Sequence, residues 1–134
     1  MAKILTYRGK TEQELAGMSI EDSYPLLTSR ARRALKRAMS NKSYVIRAFI
    51  KRVAAKKKAN PAKTIKTHAR EAVIVPEWLG LTFGVHNGKE YKIVPITVDK
   101  IGYRLGDFAH TTGRVLHSGP GVGATRGSKF IPLK

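Results

Sequence analysis

Residues 30–70 contain fifteen lysines and arginines and no aspartate or glutamate. Solvated helices usually mix both signs of charge and form ion pairs three or four residues apart, which a span without carboxylates cannot do. This span constrains the chain more than any other feature, because the negative charge that neutralises its cations must come from outside the protein. Phosphates are the expected source, and a charged face that only keeps the protein soluble is the alternative.

The whole chain is short and strongly basic. It has 134 residues, with 26 lysines and arginines against nine acids and a formal net charge of +17. This length predicts one domain with a modest core, and self-repulsion of this size destabilises a compact state unless a polyanion neutralises it. We therefore expect nucleic acid as the partner.

Membrane insertion and secretion are not expected. The longest charge-poor stretch, residues 72–86, contains Pro76 and Glu77 and is shorter than the roughly 20 apolar residues of a spanning helix. The first ten residues lack the apolar core of a signal peptide. We therefore predict a cytoplasmic protein. The absence of cysteine excludes disulfides and cysteine-based zinc sites.

Helical patterns dominate the first half. Thr11 and Glu14 have the spacing of a capping box. Thr28 or Ser29 is a suitable cap for the basic helix RARRALKRAM, and the segment KSYVIRAFIKRVAAKKK repeats apolar residues at helical spacing. Asn60 and the proline after it are expected to end this region.

Strand patterns dominate the second half. Residues 72–75 and 81–85 are predicted strands, and Asn87-Gly88 predicts a type I′ hairpin turn that leads into residues 90–98. Pro95 places the last strand at a sheet edge or at a bulge. Asp99 is a suitable cap for a short helix after it.

These patterns predict an α+β protein with a small antiparallel three-stranded sheet and short helices. A basic helical extension, residues 1–60, precedes an RNA-binding core at 61–112, and a flexible, glycine-rich basic tail follows at 113–134. The tail sequence SGPGVGATRGSK lacks the spacing of a phosphate-binding P-loop, and no helix is predicted after it.

No catalytic or metal site is predicted, and no cofactor is expected. Ser118 adjoins His117, but no nucleophile-elbow motif is present. Neither HExxH nor paired Cys/His spacing supports a metal site. Trp78, Tyr91 and Tyr103 are interpreted as core or sheet-face aromatics rather than base-stacking side chains.

The expected function is contact with phosphates and 2′-hydroxyl groups of folded RNA. Residues 66–70 supply two cations, a hydroxyl and an imidazole in a predicted loop, for which a solvated linker is the alternative. Lys89 and Arg104 are weaker candidates, since a turn lysine can simply face solvent. The candidate RNA-binding residues are Arg30, Arg32, Arg33, Lys36, Arg37, Lys56, Lys57, Lys58, Lys66, Thr67, His68, Arg70, Lys89, Arg104, Arg114, His117, Arg126 and Lys129.

The segments GLTFGVHNGKEYKIVPIT and IGYRLGDFA closely resemble the small-subunit ribosomal protein S-nineteen family. The ending PGVGATRGSKFIPLK is similar to the archaeal and eukaryotic branch of that family. The resemblance is strong over residues 64–134 and less specific before them. The chain departs from the branch at His110-Thr111-Thr112-Gly113, where basic residues are usual.

The resemblance implies a non-enzymatic structural constituent of the small ribosomal subunit, bound to ribosomal RNA in the subunit head. It also implies a neighbouring protein of the S-thirteen family, and a tail that extends toward the decoding site and transfer RNA. A free nucleic-acid-binding or DNA-compacting protein is the alternative function, because the basic helices alone would also suit DNA.

Overall fold

The computed structural model describes residues 5–114 of the chain. Its helices are α1 (Glu12–Ala16), α2 (Ser29–Met39) and α3 (Tyr44–Ala59). Strands β1 (Thr6–Tyr7) and β2 (Lys10–Thr11) form a two-stranded sheet, and β3 (Ile65–Thr67), β4 (Thr82–His86) and β5 (Tyr91–Pro95) form a three-stranded one. The predicted mixed α+β class is confirmed.

The three-stranded sheet is mixed, so the prediction of an antiparallel sheet is wrong for one of its two pairings. Its order is β3-β4-β5, with β5 antiparallel and β3 parallel to β4. Parallel neighbours need a long crossover connection, and residues 68–81 supply it. Residues 66 and 67, predicted to lie in a loop, belong to β3, where Lys66 is exposed between buried Ile65 and buried Thr67.

Residues 72–75 are not a strand of either sheet, contrary to the prediction. All four side chains are buried. Their backbone bonds instead with the segment after β5: the Ile74 N–H donates to the Tyr103 carbonyl (2.8 Å) and the Leu105 N–H to the Ala72 carbonyl (3.0 Å). Pro76 then begins a 3-10 turn, Pro76–Trp78, that ends the extended run.

The predicted hairpin is present, but its turn is not type I′. The Asn87 N–H donates to the Glu90 carbonyl (3.0 Å), which puts Gly88 and Lys89 at the centre of the turn. Gly88 has a φ of 100°, whereas Asn87 is not among the residues with positive φ. Asn87 instead uses its side-chain oxygen to accept from the N–H groups of Lys89 and Glu90. Pro95 ends β5, an edge strand as predicted.

The two long helices begin close to their predicted positions, and their buried side chains belong to the same core as those of the sheet. Thr28 is the N-cap of α2, and α3 runs to Ala59. Asn41, with a φ of 63°, reverses the chain between the helices, in a conformation that asparagine tolerates. Phe49 of α3 packs against Trp78 and Phe83, with ring centroids 5.6 and 6.1 Å away, so helices and sheet share one core.

Two 3-10 turns, Val98–Lys100 and Leu105–Phe108, replace the short helix that was predicted after β5. Gly102, with a φ of 84°, lies between them and prevents one continuous helix. Ile101 and Leu105 are buried against the core, as expected from their spacing. The division of the chain into three segments stays a prediction, and the segment 115–134 lies outside the described residues.

Candidate RNA-binding surface

A cationic groove runs along α2 on the side that faces away from the core. It has a volume of about 400 Å³. Arg33, Lys36 and Arg37 are exposed in it. Among the described residues no carboxylate lines the groove, and its lining consists of Ser29, Arg32, Arg33, Lys36, Arg37, Ser40 and Lys42. A phosphate entering it would meet several cations and no repelling charge.

Arg32 differs from its neighbours because it is half buried at the base of this groove. One terminal nitrogen donates weakly to the Leu27 carbonyl (3.5 Å), while Nε is buried without a hydrogen-bond partner. Arg32 therefore contacts the protein's own backbone in addition to lining the groove. Arg30, also on α2, points to a different groove of about 460 Å³ that it shares with Arg104.

The last turn of α3 carries three consecutive lysines, where positive charge favours the helix dipole. Lys56 and Lys58 are exposed, whereas half-buried Lys57 donates to the Glu77 carbonyl (2.5 Å) and ties α3 to the Pro76–Trp78 turn. Two of the three predicted contacts are thus open to a partner, and the third is partly used inside the protein.

A groove of about 520 Å³ separates the N-terminal half of α3 from β3. Arg52 and Lys66 contribute cations, and Tyr44 and His68 contribute exposed rings. Thr67 is buried, and its hydroxyl accepts from the Ala69 N–H (3.0 Å), which shapes the chain after β3. The predicted contacts Lys66 and His68 are accessible, and Thr67 holds them in place.

Arg70 is bonded to the protein's own backbone. Its guanidinium donates to the carbonyls of His86 (2.8 Å), Gly106 (3.0 Å) and Ala109 (2.6 Å). Three of its five N–H groups are therefore used internally. Gly106 allows this approach, since a Cβ there would lie 3.0 Å from the Arg70 carbonyl oxygen. The predicted RNA contact of Arg70 stays a prediction, beside a structural role that the sequence did not indicate.

The remaining predicted residues lie outside the α2 groove and the α3-β3 groove. Lys89 is exposed at the tip of the β4-β5 hairpin. Arg104 is half buried, and its backbone N–H donates to the Asp107 carboxylate (2.9 Å). Arg114 is exposed at the end of the described chain. His117, Arg126 and Lys129 lie outside the described residues.

This surface also includes Tyr44, Lys42 and Arg52, which were not among the predicted residues. Tyr44 is 80% exposed at the first position of α3, and Lys42 and Arg52 line the α2 and α3 grooves. A usable signal was available: an aromatic residue follows Ser43 directly, off the apolar stripe of its own helix. Within residues 5–114, no three histidine, aspartate or glutamate residues are grouped as potential metal ligands. None of the helices in this range combines the length and the apolar composition of a membrane span.

The described surface is therefore a set of open, acid-poor grooves on a compact core, suited to phosphate binding by charge. In a comparison with known protein families, the family model described as Ribosomal protein S19 matches residues 36–117, more than half of the chain. The match begins in α2 and includes α3, strand β3 of the α3-β3 groove and the β4-β5 hairpin.

Proposed function

Because the chain belongs to the ribosomal protein S19 family, a structural and non-enzymatic family of the small ribosomal subunit that binds ribosomal RNA, we propose which of its surfaces hold that RNA. The α2 groove and the α3-β3 groove are the principal phosphate-binding surfaces. Lys56 and Lys58 at the end of α3, and Lys89 at the tip of the β4-β5 hairpin, add exposed cations outside these two grooves. The acid-free lining of the α2 groove is the observation that supports this proposal most directly.

The proposed mechanism is neutralisation of phosphates by cations that the core holds in fixed positions. Arg33, Lys36 and Arg37 stand on a helix whose opposite face, Leu35 included, is buried. Side chains on a packed helix lose little additional backbone freedom when RNA binds. Such contacts position the protein on its RNA without base specificity, so the fold of the RNA supplies the specificity.

The finer location also belongs to this proposal. We place the protein in the head of the small subunit, beside a protein of the S-thirteen family, as a member of the archaeal and eukaryotic branch. The basic tail, with His117, Arg126 and Lys129, would reach toward the decoding site and transfer RNA. Its glycines allow the backbone to approach an RNA strand closely.

Gradient sedimentation of cell lysates tests the proposed surface. The full chain replaces the native copy, and a triple variant carries Arg33→Gln, Lys36→Gln and Arg37→Gln. We expect the wild type in small-subunit fractions and the triple variant largely at the top of the gradient, because three exposed phosphate contacts are lost while the core is untouched.

A matched triple variant loses the same charge elsewhere, at Arg8, Lys10 and Lys92. It should sediment with small subunits as the wild type does. Equal behaviour of the two triple variants would contradict a specific role of the α2 groove. Recovery of the wild type on chromosomal DNA, away from small subunits, would favour the DNA-compacting alternative.

A further inference from the structure

The outer face of the three-stranded sheet is open, although it carries aromatic and apolar side chains. Strand register puts Lys66, Gly84 and Ile93 in one row across the sheet, with His86 and Tyr91 paired in the next row. His68 follows β3 at the level of that second row. Tyr91 is 38% and Ile93 72% exposed, so no helix within residues 5–114 covers this face.

Three rings on this face form one cluster. The ring centroids of His68 and His86 are 4.5 Å apart, and Tyr91 packs nearly perpendicular to both, at 5.4 and 4.8 Å. The Nδ1 atom of His86 accepts from the Gly88 N–H (3.0 Å), which fixes the orientation of that ring. The cluster is thus held in place before any ligand arrives.

A cation and a glycine complete the surface. The Lys66 ammonium lies 5.3 Å from the Tyr91 ring centroid. Gly84 lies beside the Lys66 stem, where a Cβ at residue 84 would make an ordinary van der Waals contact with Lys66 Cγ (3.4 Å). A positive charge therefore stands directly beside exposed rings, which is the combination that binds single-stranded nucleic acid.

We propose that this ring cluster is a stacking platform for an unpaired nucleotide of the RNA, with Lys66 contacting its phosphate. The inference rests on the proposed function, since it assumes that RNA lies against the sheet. An unpaired nucleotide offers the flat π-surface of its base to the rings and the negative charge of its phosphate to Lys66, whereas a duplex hides its bases in the stack. The platform adjoins the α3-β3 groove, because His68 lines both.

Binding of short RNA to the purified full chain tests the platform. The probes are a fluorescent unstructured oligoadenylate and an RNA duplex of equal length. We expect Tyr91→Leu to weaken oligoadenylate binding about tenfold and to leave duplex binding unchanged, and we expect His68→Leu independently to weaken oligoadenylate binding about tenfold. Tyr91→Leu removes no charge, so the salt dependence of its binding should stay that of the wild type.

Tyr103→Leu is the matched control, because Tyr103 is also an exposed tyrosine, 57% accessible, packed edge-to-face on Phe108. It should bind both probes as the wild type does. Circular dichroism verifies that each variant is folded. If Tyr91→Leu does not fold, the result for His68→Leu tests the proposal. Wild-type binding of oligoadenylate by the folded platform variants, or an equal loss in Tyr103→Leu, would overturn the proposal.

Photo-cross-linking in assembled particles separates this proposal from the proposed function. Ile93 is replaced by the photoreactive amino acid benzoylphenylalanine in the full chain, and small subunits are isolated and irradiated. A cross-link to an unpaired nucleotide of the ribosomal RNA is expected. If the variant enters particles but cross-links only to protein, or not at all, the platform is refuted and the proposed function still stands. If the wild-type chain is absent from particles, the proposed function is refuted.

Discussion

The guanidinium of Arg70 shows how one cation in a basic protein serves the fold. Its three hydrogen bonds join the end of β4 to the 3-10 turn Leu105–Phe108 and the residue after it. The accepting carbonyls are 16, 36 and 39 residues away along the chain. Bonds that close such long loops hold together segments that have no regular secondary structure in common.

Arg70→Gln should therefore destabilise the folded chain by about 3 kcal/mol, because charged donors are lost and partly buried carbonyls are left without partners. Urea denaturation of the full chain measures the change. Arg33→Gln, at an exposed position of α2, is the control and should stay within about 0.5 kcal/mol of the wild type. Equal stability of the two variants would contradict the structural role of Arg70.

Gly106 provides a second residue-scale test of the same junction. A Cβ at residue 106 would lie 3.0 Å from the carbonyl oxygen and 3.1 Å from Cβ of Arg70. Gly106→Ala should cost about 1 to 3 kcal/mol, since the backbone must move to relieve the contact. Gly113→Ala, where a Cβ would meet no atom of residues 5–114 within 4 Å, should leave the thermal midpoint unchanged or slightly raised. Similar midpoints for the two variants would disprove the close packing.

The sequence identified Arg70 as a cation but could not show which groups its guanidinium bonds to. Its partners are backbone carbonyls, which carry no sequence signal, on segments far along the chain. In contrast, exposed cations of α2 were predictable, because helical periodicity alone separates Arg33 and Arg37 from buried Leu35. Local pattern thus locates the cations that face solvent, whereas tertiary contacts decide which cations are used within the fold.

At the scale of elements, sequence patterns predicted helices better than the sheet. The caps and apolar stripes of α2 and α3 are local, and both helices formed where expected. Strand β3 has only three residues and a lysine at its centre. Residues 72–75 contain more apolar and β-branched side chains than β3 does. Residues 72–75 are buried in the core, and their backbone bonds to residues 102–105. A hydrophobic pattern cannot distinguish such a buried segment from a strand of a sheet.

The start of α1 offers a pH test of a predicted element. The Thr11 backbone N–H donates to the Glu14 carboxylate (2.8 Å) and lowers the pKa of that carboxyl below its ordinary 4.5. A lowered pKa means that the cap stabilises α1 at neutral pH and loses this effect as pH falls through the lowered value. In NMR spectra the Thr11 amide proton should shift over that acidic range.

Glu14→Gln should abolish this low-pH titration of the Thr11 amide proton, because no carboxylate remains to accept from it. Glu12→Gln, a change in the same first turn at a residue that does not bond to Thr11, should preserve the titration. Persistence of the shift in Glu14→Gln would show that another group controls the amide. Thr11 and Glu14 would then have the spacing of a capping box without the hydrogen bond between the Thr11 N–H and the Glu14 carboxylate.

For the whole molecule, the shared core decides how the basic helices can act. Phe49 and Val53 of α3 are buried together with Phe83 of β4, so the helices are not a separate arm. The two cationic grooves therefore keep fixed positions relative to the sheet and its ring cluster. Composition predicted the polyanionic partner from a net charge of +17, but only the packing of helices on the sheet brings Arg52 of α3 and Lys66 of β3 to one groove.

Fixed cations make a quantitative prediction for binding to ribosomal RNA. The logarithm of affinity should fall linearly with the logarithm of salt concentration, by about 0.7 to 0.9 for each phosphate contacted. The triple variant Arg33→Gln, Lys36→Gln and Arg37→Gln should show a slope shallower by about 2, measured by filter binding to small-subunit RNA over a salt series. The triple variant at Arg8, Lys10 and Lys92 loses equal net charge but should retain the wild-type slope. If both variants flatten the slope equally, net charge rather than the α2 groove governs binding, and the proposed surface is wrong.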